Sequence, residues 1–166
     1  MHLTSTQALW FLPFVTPICL WITWSDLSSM RIPNWTVDTL LAIFLVIGLF
    51  AIPTWSEYGW RFASFVIVFV LGVVANAAGL MGGGDSKFMA SAAPFIVPAD
   101  VSILCIIFSA NLLACYCTHR VAKHTSLRSL APEWVSWTAQ RKKFPMGFAL
   151  SSTLVIYLVL GLVYGA

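Results

Sequence analysis

Five long apolar stretches, near residues 8–24, 37–52, 62–80, 101–118 and 147–164, take up most of this 166-residue chain. Each approaches the ~17–25 residues a helix needs to cross the hydrocarbon core of a bilayer. Charged residues make up 9% of the chain and apolar residues 60%, against about 25% charged in an ordinary soluble domain. The chain therefore reads as an all-α, polytopic membrane protein. Its length accommodates a single domain, residues 1–166, most of it consumed by the spans.

One further segment, residues 88–97, is apolar but short, with a glycine run before it and Pro94 and Pro98 at its far end. It can cross as a short fourth helix or dip in and return, and charge separates the two. If it crosses and the amino terminus is outside, Arg31, Lys87, Arg120, Lys123, Arg128, Arg141, Lys142 and Lys143 share the cytoplasmic side, and Arg61 alone lies outside. If it does not cross, the basic residues after Thr118 change sides and the positive-inside bias is lost. Six spans are expected. Trp24, Trp35, Trp55 and Trp60 flank them, where indole rings anchor to the interface.

The polar stretch 119–144 contains Pro132-Glu133, a pair suited to a helix start. Leu127, Leu130, Trp134 and Trp137 follow helical spacing, and Arg141-Lys142-Lys143 closes the stretch. This predicts an amphipathic helix on the anionic cytoplasmic leaflet, with a basic loop as the alternative. Cys19, Cys105, Cys115 and Cys117 lack Cys-x-x-Cys spacing, so no zinc site or disulfide framework is indicated. The first seven residues read as a short tail before a retained helix rather than a cleavable signal. No nucleic-acid partner is expected, and membrane lipid is the expected surrounding.

The chain has six acids. Asp26 ends the first apolar run, and Asp85 follows Gly82-Gly83-Gly84. The charge count places both on one side, at a depth where a carboxylate is costly and generally functional. Taken singly, each has a structural reading, with Asp26 paired to Arg31 and Asp85 paired to Lys87. Asp38 and Glu133 read as helix-start and surface-helix acids, and Glu57 and Asp100 fall outside. The glycine run is expected to break the preceding helix and let a second chain approach closely. A phosphate loop would need a lysine followed by Ser or Thr after a strand, but here Ser86 precedes Lys87. Two nearby carboxylates share a proton, so one can activate water while the other donates to a carbonyl. That is aspartyl-protease chemistry. His2, His119 and His124 are not placed to activate a serine or cysteine within a span.

Three motifs resemble those of the type IV prepilin peptidases. Asp26 with Arg31-Ile32-Pro33-Asn34 is similar to the family's Asp…Arg-x-Pro-Asn segment. Gly82-Gly83-Gly84-Asp85-Ser86-Lys87 is similar to its Gly-x-Gly-Asp-x-Lys signature, with Phe88 where leucine is common. Pro145-Met146-Gly147-Phe148-Ala149 resembles the motif opening the last helix, with Met146 in place of an aromatic. The resemblance implies an inner-membrane aspartyl endopeptidase that removes the short basic leader of pilin precursors at the cytoplasmic face. Asp26 and Asp85 match its catalytic acids, and Gly82, Gly83, Gly84, Lys87 and Arg31 would support them. No cofactor is expected. The chain reads as having no amino-terminal Cys-x-x-Cys segment of the kind the larger, methylating members carry, and it looks like the short form of tight-adherence (Flp) systems, with archaeal-type preflagellin systems as the alternative. Readings of other classes are an inactive component of a pilus assembly platform and a small proton-coupled transporter.

Overall fold

The computed structural model describes residues 1–125, 128–129, 131–137 and 144–165. Among them are six α-helices: α1 (Ser5–Ser29), α2 (Asn34–Ala51), α3 (Trp55–Ala77), α4 (Gly83–Ala92), α5 (Val101–His124) and α6 (Met146–Tyr164). All but α4 are long and apolar enough to cross a membrane. This is a multi-pass membrane protein.

Helix ends depart from the apolar runs for local reasons. α1 begins at a Thr4 cap, whose hydroxyl accepts from the Gln7 N–H, and continues past the apolar run to Met30, which adopts the left-handed conformation at φ 56°. Asp26 therefore lies inside the last turns of α1, not at its edge. α3 starts earlier than residue 62 because Glu57 and Arg61, one turn apart, pair at 2.8 Å and cease to be free charges. It ends in a Schellman motif. The Leu80 N–H reaches the Ala75 carbonyl, and the Gly79 N–H reaches that of Asn76, with Gly79 at φ 73°.

The glycine run does not form the break. The chain reverses between Ala78 and Gly82, and Gly83 and Gly84 already belong to the first turn of α4. Their value is close packing: an added Cβ on Gly84 would lie 3.4 Å from Ile32 Cβ, and one on Gly83 would lie 3.5 Å from the Asn76 amide.

Side-chain contacts establish the order of ends. At one end, the Asp100 carboxylate accepts from the backbone N–H groups of His2 and Leu3 and from the Tyr157 hydroxyl. Nearby, Arg61 donates to Gln7, Glu57 and the Phe95 carbonyl. At the opposite end lie the close of α1, the starts of α2 and α4, and the start of α6. Residues 83–100 therefore run from one end to the other, as α4 followed by two 3-10 turns, Ala93–Phe95 and Pro98–Asp100. The short segment crosses, giving six passes.

α1 and α6 make the most extensive helix pair. Phe11, Phe44 and Phe95 meet edge-on or stacked at 5.0–6.4 Å in the core beside them. Trp24, Trp35, Trp55 and Trp60 are exposed, as boundary anchors should be.

The segment after α5 differs from the amphipathic helix anticipated there. Pro132 and Glu133 form a turn, followed by a 3-10 turn at Val135–Trp137. Trp137 is buried, stacked on His119 at 4.9 Å and on Trp134 at 5.7 Å. Its indole N–H donates to the Ala131 carbonyl. Protein contacts have taken the tryptophan that periodicity assigned to lipid. Leu127, Leu130 and residues 141–143 lie outside the described residues.

Candidate active site

Asp26 and Asp85 come from different helices, and both lie at the end of the bundle where α6 begins. Asp26 is 5% exposed. Its Oδ2 accepts the Phe148 N–H at 3.2 Å, and the Gly147 backbone lies against the carboxylate. A helix N-terminus presents unpaired N–H groups and a partial positive charge, so it is a natural seat for a carboxylate. Gly147 makes the approach possible. A Cβ there would lie 2.9 Å from Oδ2, 3.0 Å from Cγ and 3.1 Å from Cβ of Asp26.

Asp85 is the third residue of α4, half-buried, with its carboxylate folded back over Gly82. A Cβ on Gly82 would come within 2.8 Å of Asp85 Oδ2. The Asp85 carboxylate accepts no hydrogen bond among the described residues and interacts electrostatically with Asp26. It stands at one end of an apolar cavity of about 630 Å³ bounded by α3, α4, α5 and α6, where Met146 and Leu150 of α6 also face.

The supporting residues act differently from simple ion pairing. Lys87 is exposed and donates from Nζ to Asn34 Oδ1 at 3.1 Å, tying α4 to the start of α2. Arg31 is exposed, and its carbonyl accepts from Ser25 Oγ. Among the described residues neither aspartate has an ion-pair partner, so the Asp26–Arg31 and Asp85–Lys87 pairings do not form. Instead the two motifs interlock: Ile32 rests on Gly84, and Asn34 holds Lys87. Pro33 caps α2, and its carbonyl takes both the backbone N–H and the hydroxyl of Thr36. Asp38 and Glu133 are exposed and do not join the two acids.

A polar seam that composition did not reveal fixes α6. Thr23 and Ser151 hydroxyls meet at 2.7 Å, and Ser151 also donates to the Gly147 carbonyl. The Asn111 amide on α5 donates to the Ala149 carbonyl and to Ser152 and Thr153. Such bonds between membrane helices contribute roughly 0.6–2 kcal/mol each. The run Ser151-Ser152-Thr153 inside an apolar span was the available signal.

A model of the type IV leader peptidase family matches residues 14–118. The matched stretch holds Asp26, the 31–34 turn and Asp85, and ends within α5. Comparison with curated proteins and with solved structures finds no match. With more than half of its length matched and both acids included in order, the chain belongs to the type IV leader peptidase family, a family of aspartic peptidases.

Proposed function

We propose that the protein is an aspartic endopeptidase that removes the short basic leader of pilin precursors, of the Flp type, with Asp26 and Asp85 as its catalytic residues. One observation carries the reading. Two acids from separate helices lie at the end of the bundle where α6 begins, close enough for the charge of Asp85 to act on Asp26, and Asp85 stands at the end of an apolar cavity.

The chemistry follows from the pair. Two interacting carboxylates hold one proton between them, and their titration belongs to the pair. The ionised member accepts a proton from water as it attacks the scissile carbonyl, and the protonated member donates to the carbonyl oxygen. The Phe148 amide of α6 fixes Asp26 in orientation, while Asp85 faces the cavity. Cleavage is expected to peak at one pH and fall on both sides.

The site end of the bundle carries Arg31, Lys87, Arg120, Lys123 and Arg128. At the other end Arg61 is buried against Glu57. The positive-inside rule then orients the acids toward the cytoplasm in an inner membrane. The test is leader removal from a co-expressed pilin precursor, read by intact mass. Native chain should cleave, and Asp26→Asn and Asp85→Asn should each fail at equal membrane levels. Cleavage surviving in either variant would sink the two-acid mechanism.

A further inference from the structure

The cavity beside Asp85 has the shape of a lateral opening. α3 packs chiefly on α4, and α5 chiefly on α6, and the two do not close on each other. They are also the least buried of the long helices. Between them the floor is small and apolar, with Ala92 and Ala93, and the walls are Ile67 and Leu104. Its two hydroxyls are already engaged: Ser64 donates to the Trp60 carbonyl, and Thr153 to that of Ala149. Asp85 is the one carboxylate on the lining, and it stands at one end, while Pro98 and Val101 mark the other.

Resting on the peptidase reading, we infer that this opening between α3 and α5 seats the apolar segment that follows the leader in the precursor. The cleaved bond lies at Asp85, and the segment descends along α4 toward Pro98. Continuity with the acid selects this occupant over a lipid tail. A chain delivered to Asp85 with an apolar stretch behind it has an apolar path leading away from the carboxylate, and both hydroxyls along that path have their partners.

The path has a measurable register. α5 and α6 are antiparallel: Asp100, just before α5, bonds Tyr157 and the N–H of Leu3, which packs on Gly161, while Asn111 bonds Ala149, Ser152 and Thr153, so Cys115, one turn further along α5, lies near the level of the acids. Cys105 lines the opening and is exposed. It lies ten residues back along α5, roughly 15 Å at 1.5 Å per residue. A substrate helix with the same rise, extended for a residue or two at the cleaved bond, brings its residue about eight to nine positions after that bond beside Cys105.

The experiment is oxidative cross-linking in membranes, between native Cys105 and single cysteines placed in turn along the apolar segment of a co-expressed pilin precursor. The Asp85→Asn chain serves as trap, and cleavage by the native chain is scored in parallel. Cross-links should peak about eight to nine residues after the cleaved bond and vanish in Cys105→Ser. They should be absent to Cys117, which is exposed but does not line the opening. Ile67→Trp, on the exposed face of α3, should lower cleavage at least tenfold without changing membrane level. Cleavage with no cross-link at any position would overturn the docking path, leave the peptidase reading intact, and identify the opening as lipid-filled. Cross-links at the stated register without cleavage by the native chain would keep the path and overturn the peptidase reading. Absence of both would overturn both.

Discussion

Gly147→Ala isolates the contact between Asp26 and the start of α6. The added methyl would lie 2.9–3.1 Å from three atoms of the Asp26 side chain. Non-bonded atoms settle near 3.5–4.0 Å, so the carboxylate must retreat by roughly half an ångström. The hydrogen bond from Phe148, now 3.2 Å, would stretch beyond the ~3.6 Å at which it ceases to be one. A hydrogen bond to a charged group contributes about 1.5–3 kcal/mol. At ~1.4 kcal/mol per factor of ten, kcat/KM for leader removal should fall about 10- to 100-fold. Stability should change little, because alanine in a helix gains about 1 kcal/mol over glycine and offsets part of the strain. Gly59→Ala is the control: it is also helical, and nothing lies within 4 Å of its added carbon. Both variants would be assayed by intact mass of the precursor over time, at matched membrane levels. Gly147→Ala cleaving at the native rate would refute the claim that this approach positions Asp26.

Other changes probe the frame around the site. Lys87→Ala removes one exposed hydrogen bond to Asn34, worth about 0.5–1.5 kcal/mol, so cleavage should fall less than about tenfold. A complete loss would show that Lys87 acts on the chemistry itself. Arg61→Ala leaves Gln7 without its buried donor and breaks the pair with half-exposed Glu57. Stability should drop toward the lower end of ~3–5 kcal/mol, read as melting in detergent, and an unchanged melting temperature would contradict the network. Tyr157→Phe deprives Asp100 of a donor and the Val97 N–H of its acceptor. It should lower stability by about 1–3 kcal/mol while cleavage per folded molecule stays native, since these groups lie at the end away from the acids.

The spans were legible because bilayer crossing demands long apolar runs, and the acids were legible because so few compete with them. Helix ends were not. Arg61 looked like a charge stranded on the outer side, whereas pairing with Glu57 hides it inside α3. Asp100 looked like an ordinary outer acid, yet it gathers two backbone amides and a tyrosine hydroxyl. No one-dimensional pattern announces partners ninety-odd residues away. The glycine run misled in a different way. Glycine signals freedom in a sequence, but at Gly83 and Gly84 the structure uses the missing Cβ for contact with Asn76 and Ile32. Trp137 kept helical spacing with its neighbours, and burial against His119 overrode it.

The two-acid motif is incomplete without α6. The family match ends at residue 118, so it includes both aspartates and not the donor that holds Asp26. The Phe148 N–H supplies the hydrogen bond, and Gly147 gives it room. The helix bearing them is held to α1 by Thr23–Ser151 and to α5 by Asn111, and its Met146 and Leu150 wall the cavity at Asp85. A buried carboxylate with no donor is a liability to a fold, so the last span must arrive with its amide already aimed. This is a physical reason for the small residue in Pro145-Met146-Gly147: only a residue without a side chain lets the helix N-terminus come down onto the acid. The pair of aspartates carries the proposed chemistry, and the third helix end shapes the seat of Asp26.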